Sequence, residues 1–182
     1  MSTYRIHTME SAPEKSKPAL QVLKNAFGFV PNLVGAMAES PVLISSLAPV
    51  FRNVHSGSFS EAEVQVVLLT DAVTNSAAWA VALHSKLALD AGVSADDVQA
   101  IRTRGVPKDR RLAAMSAIAR AMIEKRGHLD DRDRAAFQDA GYGPDLVLEI
   151  VAIVAASAIT NYTASIAEPA LDEALKPYAW SA

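Results

Sequence analysis

The chain is 182 residues long, 51% hydrophobic and carries a formal net charge of -3, so it can bury the core of one domain and has no basic stripe suited to nucleic acid. It contains no cysteine, which excludes disulfides, iron–sulfur clusters, thiolate zinc sites and thiol nucleophiles. Its four histidines lack the spacing of metal ligands, so we expect neither a metal nor another cofactor.

Glycine, proline and N-capping residues divide the chain into predicted helices, and no strand-like alternation extends beyond a few residues. An extended arm leads to about Ser11. The predicted helices then cover residues 13–27, 33–38, 40–54, 64–74, 76–89, 98–103, 109–125, 130–141 and 144–166. The chain is therefore predicted to be all-α.

Local signals set several helix ends. Ser60 and Glu63 have the spacing of a capping box before the fourth helix, and Asn75 is positioned to cap the fifth. The most apolar stretch, Leu146–Ile159, is interrupted by Glu149 and is too short to span a bilayer. We expect the last helix to be buried all round, and with no apolar signal segment at the N-terminus we expect a cytoplasmic protein without membrane contact.

Positions 77, 80 and 84 lie on one face of the fifth predicted helix, with position 77 in its first turn. Cysteines at the first two positions would form a C-x-x-C pair, and the helix dipole would stabilise a thiolate at the first. A histidine one turn later could relay a proton. The chain keeps His84 but has Ala77 and Ala80 in place of the two thiols.

With this pattern the chain resembles the carboxymuconolactone decarboxylase and alkylhydroperoxidase D family, in particular its longer, peroxidase-related branch. The resemblance covers most of the chain and implies an orthogonal helical bundle over residues 58–182. A helical extension, residues 1–57, would pack on that core as part of one structural unit. The resemblance also implies homo-oligomers, commonly trimers or hexamers. It rests on Phe27-Gly28-Phe29-Val30-Pro31-Asn32, Phe59-Ser60-x-x-Glu63, Asn75-x-x-x-Trp79-x-x-x-x-His84-Ser85, Ala91-Gly92-Val93 and Asn161-Tyr162.

The same resemblance assigns four catalytic positions, of which three are changed. The family's thiols fall on Ala77 and Ala80, its relay histidine on His84 and its second relay glutamate on Gln65. Ser165 stands where redox relatives often have a histidine. A thiol peroxidase mechanism therefore cannot run on these residues.

Three further residues are secondary candidates. Glu63 matches a family glutamate, although its capping-box position explains it equally well. Trp79 could contact a substrate or pack at a helix or subunit interface, and Asn161 belongs to the late motif. The two alanines have two explanations, natural loss of the cysteines or their deliberate replacement.

His84 is expected to be the side chain of this site that titrates near neutral pH, which suits general acid/base catalysis or binding of an acidic ligand. Alternatively, it is a core histidine bonded to a backbone carbonyl. Three functions follow. The first is a protein without thiol peroxidase activity that keeps a small-molecule pocket near His84; the second is a cofactor-free lyase with His84 as general acid/base; the third is a structural or partner-binding oligomer. For the lyase, Arg52, Arg102 and Arg104 could hold a carboxylated lactone only if folding brings one of them to His84.

Overall fold

The computed structural model describes residues 4–181, and this part of the chain contains nine α-helices, two 3-10 helices and no strand. The prediction of an all-α protein is confirmed. The α-helices are α1 (Lys17–Phe27), α2 (Asn32–Met37), α3 (Pro41–Val54), α4 (Glu61–Thr74), α5 (Ala78–Asp90), α6 (Ala95–Arg102), α7 (Arg110–Glu124), α8 (Asp131–Asp139) and α9 (Leu146–Ala167), and the 3-10 helices are Glu14–Ser16 and Glu173–Tyr178.

Helix α4 is the centre of the fold. It begins at the predicted capping box, in which the Glu63 amide donates to Ser60 Oγ and the Ser60 amide donates to Glu63 Oε2. Every residue from 63 to 73 is buried, because α5, α6, α7 and α9 pack around this helix. A helix in this position must satisfy its polar side chains within the protein.

Two apolar clusters lie on opposite sides of α5. One surrounds α4 and includes Ala77 and Ala80. The other is formed by α1, α2 and α3 and includes Trp79, Ala82 and Leu83 from α5. Helix α9 packs on α2 and α3 as well as on α4 and so joins the N-terminal helices to the rest of the structure, while α5 contributes side chains to both clusters.

The N-terminal arm is fastened to α2. The His7 amide donates to the Gly35 carbonyl at 3.1 Å, and His7 Nε2 lies 2.7 Å from Glu39 Oε2. The close approach of the arm to α2 requires a glycine at position 35, since a Cβ there would lie 2.7 Å from the His7 carbonyl oxygen. The arm thus supports the helix that supplies one wall of the cavity described below.

The start of α5 differs from the prediction. Asn75 does not cap this helix; it is the C-cap residue of α4, and its side-chain amide donates to the Asp71 carbonyl at 2.9 Å. Ser76 adopts a left-handed conformation with φ of 54°, which ends α4 and reverses the chain. The N-cap of α5 is Ala77, whose side chain makes no capping bond. Position 77 therefore lies immediately before the first turn.

Helix α9 also differs from the prediction. It is not buried all round, because Leu148 is 74% exposed and Ile166 is 66% exposed. Its 22 residues extend beyond the apolar stretch 146–159 and are long and apolar enough to cross a membrane by length and composition alone, a criterion that core helices of soluble proteins also meet. The side of α9 that packs on α4 carries Ser157 and Asn161, whose side chains hydrogen-bond each other.

A carboxyl group is buried between α4 and α9. Asp71 is 0% exposed, and neither of its carboxyl oxygens has a hydrogen-bond partner of good geometry in residues 4–181, although Ser157 lies beside it. Burial raises the pKa of Asp71 well above its ordinary value, and the Ser157 hydroxyl offsets only part of this rise. The folded protein therefore holds a proton on Asp71 under conditions in which the unfolded chain has lost it.

Asp71→Asn is expected to stabilise the fold increasingly as the pH rises. The pKa of Asp71 is raised in the folded wild type, whereas in the unfolded chain it is near 4. The contribution of Asp71 to stability is therefore fully present below pH 4, and it is lost as the pH rises from there to the folded-state pKa. The loss is at most about 1.4 kcal/mol per pH unit. Urea unfolding of both proteins from pH 4 to 9 measures the difference. A difference that does not change with pH would contradict the assignment.

Candidate functional site

A partly enclosed cavity of about 50 Å³ lies between the N-terminal helices and the α4–α5 pair. This volume has room for only about two heavy atoms, since a water molecule takes about 30 Å³ in the liquid and a cavity that binds benzene measures about 150 Å³. The lining is almost wholly apolar. The apolar residues around it are Leu23, Phe27, Leu33, Val34, Met37, Leu47, Phe51, Val54, Leu68, Trp79, Ala80, Leu83, Leu87 and Ala156, and the polar ones are His55, Gln65, His84 and Thr160.

The buried hydrogen bond between His84 and Gln65 orients the imidazole at this cavity. His84 Nδ1 lies 2.9 Å from Gln65 Oε1, and Gln65 Nε2 donates to Glu61 Oε1 at 2.6 Å. A carboxylate only accepts, so the amide must point its nitrogen at Glu61 and its oxygen at His84. The network therefore assigns the proton to Nδ1 and leaves Nε2 of His84 with a lone pair and no partner in residues 4–181.

His84 is neutral at physiological pH. Burial lowers its pKa to about 3, with the neighbouring His55 lowering it further and Glu61 acting in the opposite direction. The expectation that His84 titrates near neutral pH is therefore wrong, because the ring lies in the apolar interior. The alternative of a backbone-bonded core histidine is wrong as well, since the partner is the Gln65 side chain.

His55 is a polar residue of the cavity that the sequence did not reveal. It is the C-cap residue of α3; its Nδ1 lies 2.9 Å from Glu61 Oε2, and its Nε2 is buried without a partner among residues 4–181. Glu61 thus links His55 to Gln65. Burial raises the pKa of Glu61, but the bonds to His55 and Gln65 outweigh this and lower it. No motif joins His55 to His84, so only the fold shows that they line one cavity.

The two positions assigned to thiols face different spaces. Ala80 is completely buried and lines the partly enclosed cavity, whereas Ala77 lines a separate open pocket of about 420 Å³ with Ser165 and Glu168. Trp79 contributes to both, and its indole Nε1 is buried without a partner in the described part of the chain. The structure therefore brings together His84, Gln65, Ala80 and Trp79, and leaves Ala77 at the neighbouring pocket.

Two other candidates lie outside the cavity. Glu63 accepts hydrogen bonds from Ser60, Arg111 and Tyr142, the last at 2.5 Å. Burial by itself would raise the pKa of Glu63, but these hydrogen bonds have the larger combined effect and lower the pKa to about 2. A pKa this low is typical of a structural capping carboxylate. Asn161 is buried and donates to Ser157.

Among residues 4–181, no arginine lines the cavity. Arg102 donates to Ser85 and to the Tyr178 and Ala179 carbonyls, and Arg104 donates to the Val73 carbonyl. Arg52 is exposed. Within residues 4–181, no group of three or more histidine, aspartate or glutamate side chains is placed to hold a metal ion.

In fold, the chain is similar to an alkylhydroperoxidase AhpD core, an uncharacterized peroxidase-related protein from Ralstonia eutropha JMP134. The TM-score is 0.81 at 16% identity, over 96% of this chain and 94% of that one. An uncharacterized peroxidase-related protein from Silicibacter sp. TM1040 gives 0.76 at 16% identity, over 96% and 97%. A cysteine-to-alanine variant of the debrominase Bmp8, in complex with 2,3,4-tribromopyrrole, gives 0.73 at 18% identity, over 98% and 97%.

No family model matches the chain, and no curated protein matches it in sequence. The three structural similarities nevertheless cover nearly all of it, which confirms the predicted AhpD-like helical fold. At these identities they establish the fold and nothing about the reaction. The cysteine-free chain thus forms a fold that is shared with peroxidase-related proteins.

The stability of the fold is expected to fall as the pH is lowered, through His84. A histidine in the unfolded chain binds a proton near pH 6.5, whereas His84 in the folded protein does so only near pH 3. The contribution of His84 to the free energy of unfolding is therefore fully present above pH 6.5. It is lost as the pH falls toward 3, because the unfolded state then binds a proton that the folded state does not. The slope is at most about 1.4 kcal/mol per pH unit. Comparison of the wild type with His84→Phe by urea unfolding across this range isolates the contribution.

Gln65→Glu is a second variant that tests the same group, because it places a carboxylate of nearly the same shape as the amide against His84 Nδ1. That change should raise the pKa of His84, since an opposite charge favours the imidazolium. Ring chemical shifts of His84 followed by NMR measure both proteins directly. Titration of the wild-type ring above pH 5 would contradict a neutral, buried imidazole.

Proposed function

We propose that this protein binds a small, mostly apolar molecule in the partly enclosed cavity beside His84 and has no thiol peroxidase activity. The observation that carries the proposal is the cavity itself, because an apolar space with a correctly oriented imidazole suits a ligand with one polar group. The absence of cysteine from the sequence removes the redox step. The fold neighbour Bmp8 in complex with 2,3,4-tribromopyrrole is consistent with a small-molecule site in this fold.

The other two functions have less support. A lyase that uses His84 as general acid needs a proton on Nε2, but at neutral pH the ring carries its one proton on Nδ1, toward Gln65. The lactone's carboxylate would also lack an arginine at the cavity. A purely structural role would be favoured if side chains filled the space beside His84, whereas the structure has a cavity there.

The wild-type protein is expected to reduce hydroperoxides with a dithiol donor no faster than the protein-free background. Ala77→Cys with Ala80→Cys should remain slow as well, because Gln65 keeps His84 a weak base and the two positions face different pockets. Adding Gln65→Glu should increase the rate, since a more basic His84 can take up a thiol proton. Coupled peroxide consumption by the three proteins measures these rates. Turnover by the wild type would refute the proposal.

We also propose that the exposed side of α9 binds a second copy of this chain. This stripe consists of Leu148, Val151, Ala152, Ala155, Ala158, Tyr162 and Ile166, is free of charge and follows the helix for about five turns. The opposite side of α9 carries hydrogen-bonded Ser157 and Asn161 and packs on α4, which favours a protein partner over surrounding lipid. An uncharged surface can meet an identical copy of itself without unpaired charges.

Ala155→Arg is expected to convert the oligomer to monomers without unfolding it. Ala155 is an exposed residue in the middle of the stripe, so a buried charge would arise only in the assembly. Val22→Arg is the matched control, because Val22 is 45% exposed on α1, away from the stripe. Light scattering after size-exclusion chromatography gives the masses. A wild-type monomer, or equal dissociation of both variants, would refute this contact.

A further inference from the structure

Three arginines surround the turn that follows α6, and none of them has a carboxylate partner within residues 4–181. Arg102 ends α6, Arg104 lies in the turn, and Arg120 of α7 donates to two carbonyls of the turn. The other hydrogen bonds of Arg102 and Arg104 also go to neutral groups, namely backbone carbonyls and serine hydroxyls. Three positive charges therefore meet here without a negative side chain from the described part of the chain.

Neighbouring groups offset only part of this charge. Asp96 pairs with Lys108 at 2.7 Å, and Asp97 accepts from the Lys108 amide. Asp109 caps α7. The C-terminal ends of α4 and α6 each contribute about half a negative charge, so about two of the three positive charges remain. Burial alone lowers the pKa of Arg102, as expected for a guanidinium without a negative neighbour.

Arg102 and Arg104 line the same open pocket, which has a volume of about 580 Å³ and is as large as many small-molecule sites. The other residues around it are Gln99, Thr103, Ala179, Trp180 and Ser181. Hydrogen bonds within the chain use three of the five N–H groups of Arg102 and two of the five of Arg104. Both guanidinium groups therefore keep donors for a ligand.

Trp180 adds an aromatic surface to this pocket. Its indole N–H donates to the Arg102 carbonyl at 3.0 Å, which holds the ring beside the arginines. The Arg102 side chain in turn donates to the Tyr178 and Ala179 carbonyls, so the segment that carries the tryptophan is fastened to α6. The pocket thus combines excess positive charge with a fixed indole.

We propose that this pocket binds small aromatic carboxylates, with the carboxylate held by Arg102 and Arg104 and the ring against the Trp180 indole. A planar guanidinium matches a carboxylate in shape and charge, and an indole favours an aromatic ring over an aliphatic chain. Within residues 4–181, the pocket shares no lining residue with the cavity beside His84. The site is therefore separate from the one proposed above.

Benzoate and benzamide test the proposal, because they have the same ring and nearly the same size but only benzoate is an anion. Acetate is the matching anion without a ring. The chain has two tryptophans, so Trp180→Phe assigns their indole NMR signals. In the wild type, benzoate should shift the Trp180 signal and leave that of the buried Trp79 in place. It should bind about tenfold more tightly than benzamide or acetate, and less tightly as salt is added.

Arg104→Gln tests the contact with the anion. Arg104 is exposed, so the variant should fold, and it should bind benzoate about tenfold more weakly with unchanged affinity for benzamide. Arg52→Gln is the matched control, because it removes the same charge from an exposed arginine of α3 that does not line the pocket. This control should bind benzoate as the wild type does.

Equal affinities for benzoate and benzamide, or equal losses in the two arginine variants, would overturn the proposal. Acetate binding as tight as that of benzoate would overturn the role of the ring, and no shift at Trp180 in the wild type would overturn the site. Because the wild-type titration needs no substitution, it decides the question even if a variant fails to fold.

Discussion

The burial of α4 on every side is the constraint on which the rest of the structure depends. Four helices pack around it, so each polar side chain it carries must be paired within the protein or pay a desolvation cost. Thr70 is paired with the Ser116 hydroxyl at 2.9 Å, and Gln65 with His84 and Glu61. Asp71 is the exception, and its raised pKa is the consequence. The site lies where this central helix meets α5.

Gln65 determines the chemistry that His84 can perform. An amide offers an acceptor to Nδ1 but cannot take a proton from it, so the imidazole is oriented without being made more basic. A carboxylate at the same position would orient the ring equally well and would also stabilise the imidazolium. With the amide at this position, His84 is a neutral hydrogen-bond acceptor at Nε2.

The candidate site was predictable only in part. Spacing placed positions 77, 80 and 84 on one helix face, the family resemblance added positions 65 and 79, and four of these five side chains do line the cavity. The division of Ala77 from Ala80 depended on the left-handed Ser76, which moves the start of α5 and which no residue signal specifies. His55 reaches the cavity from α3, through a tertiary contact between helices whose packing the sequence pattern does not encode.

By itself, the sequence determined the helices, most of their ends and the absence of thiol chemistry, because capping, glycine stops and apolar periodicity act over a few residues. It also indicated the fold through short motifs. Only the tertiary structure decided the side of α9 that stays exposed, the protonation state of His84 and the pairing of His55 with Glu61. These properties depend on burial and on neighbours distant in sequence, since a side chain's pKa and exposure are set by what packs against it.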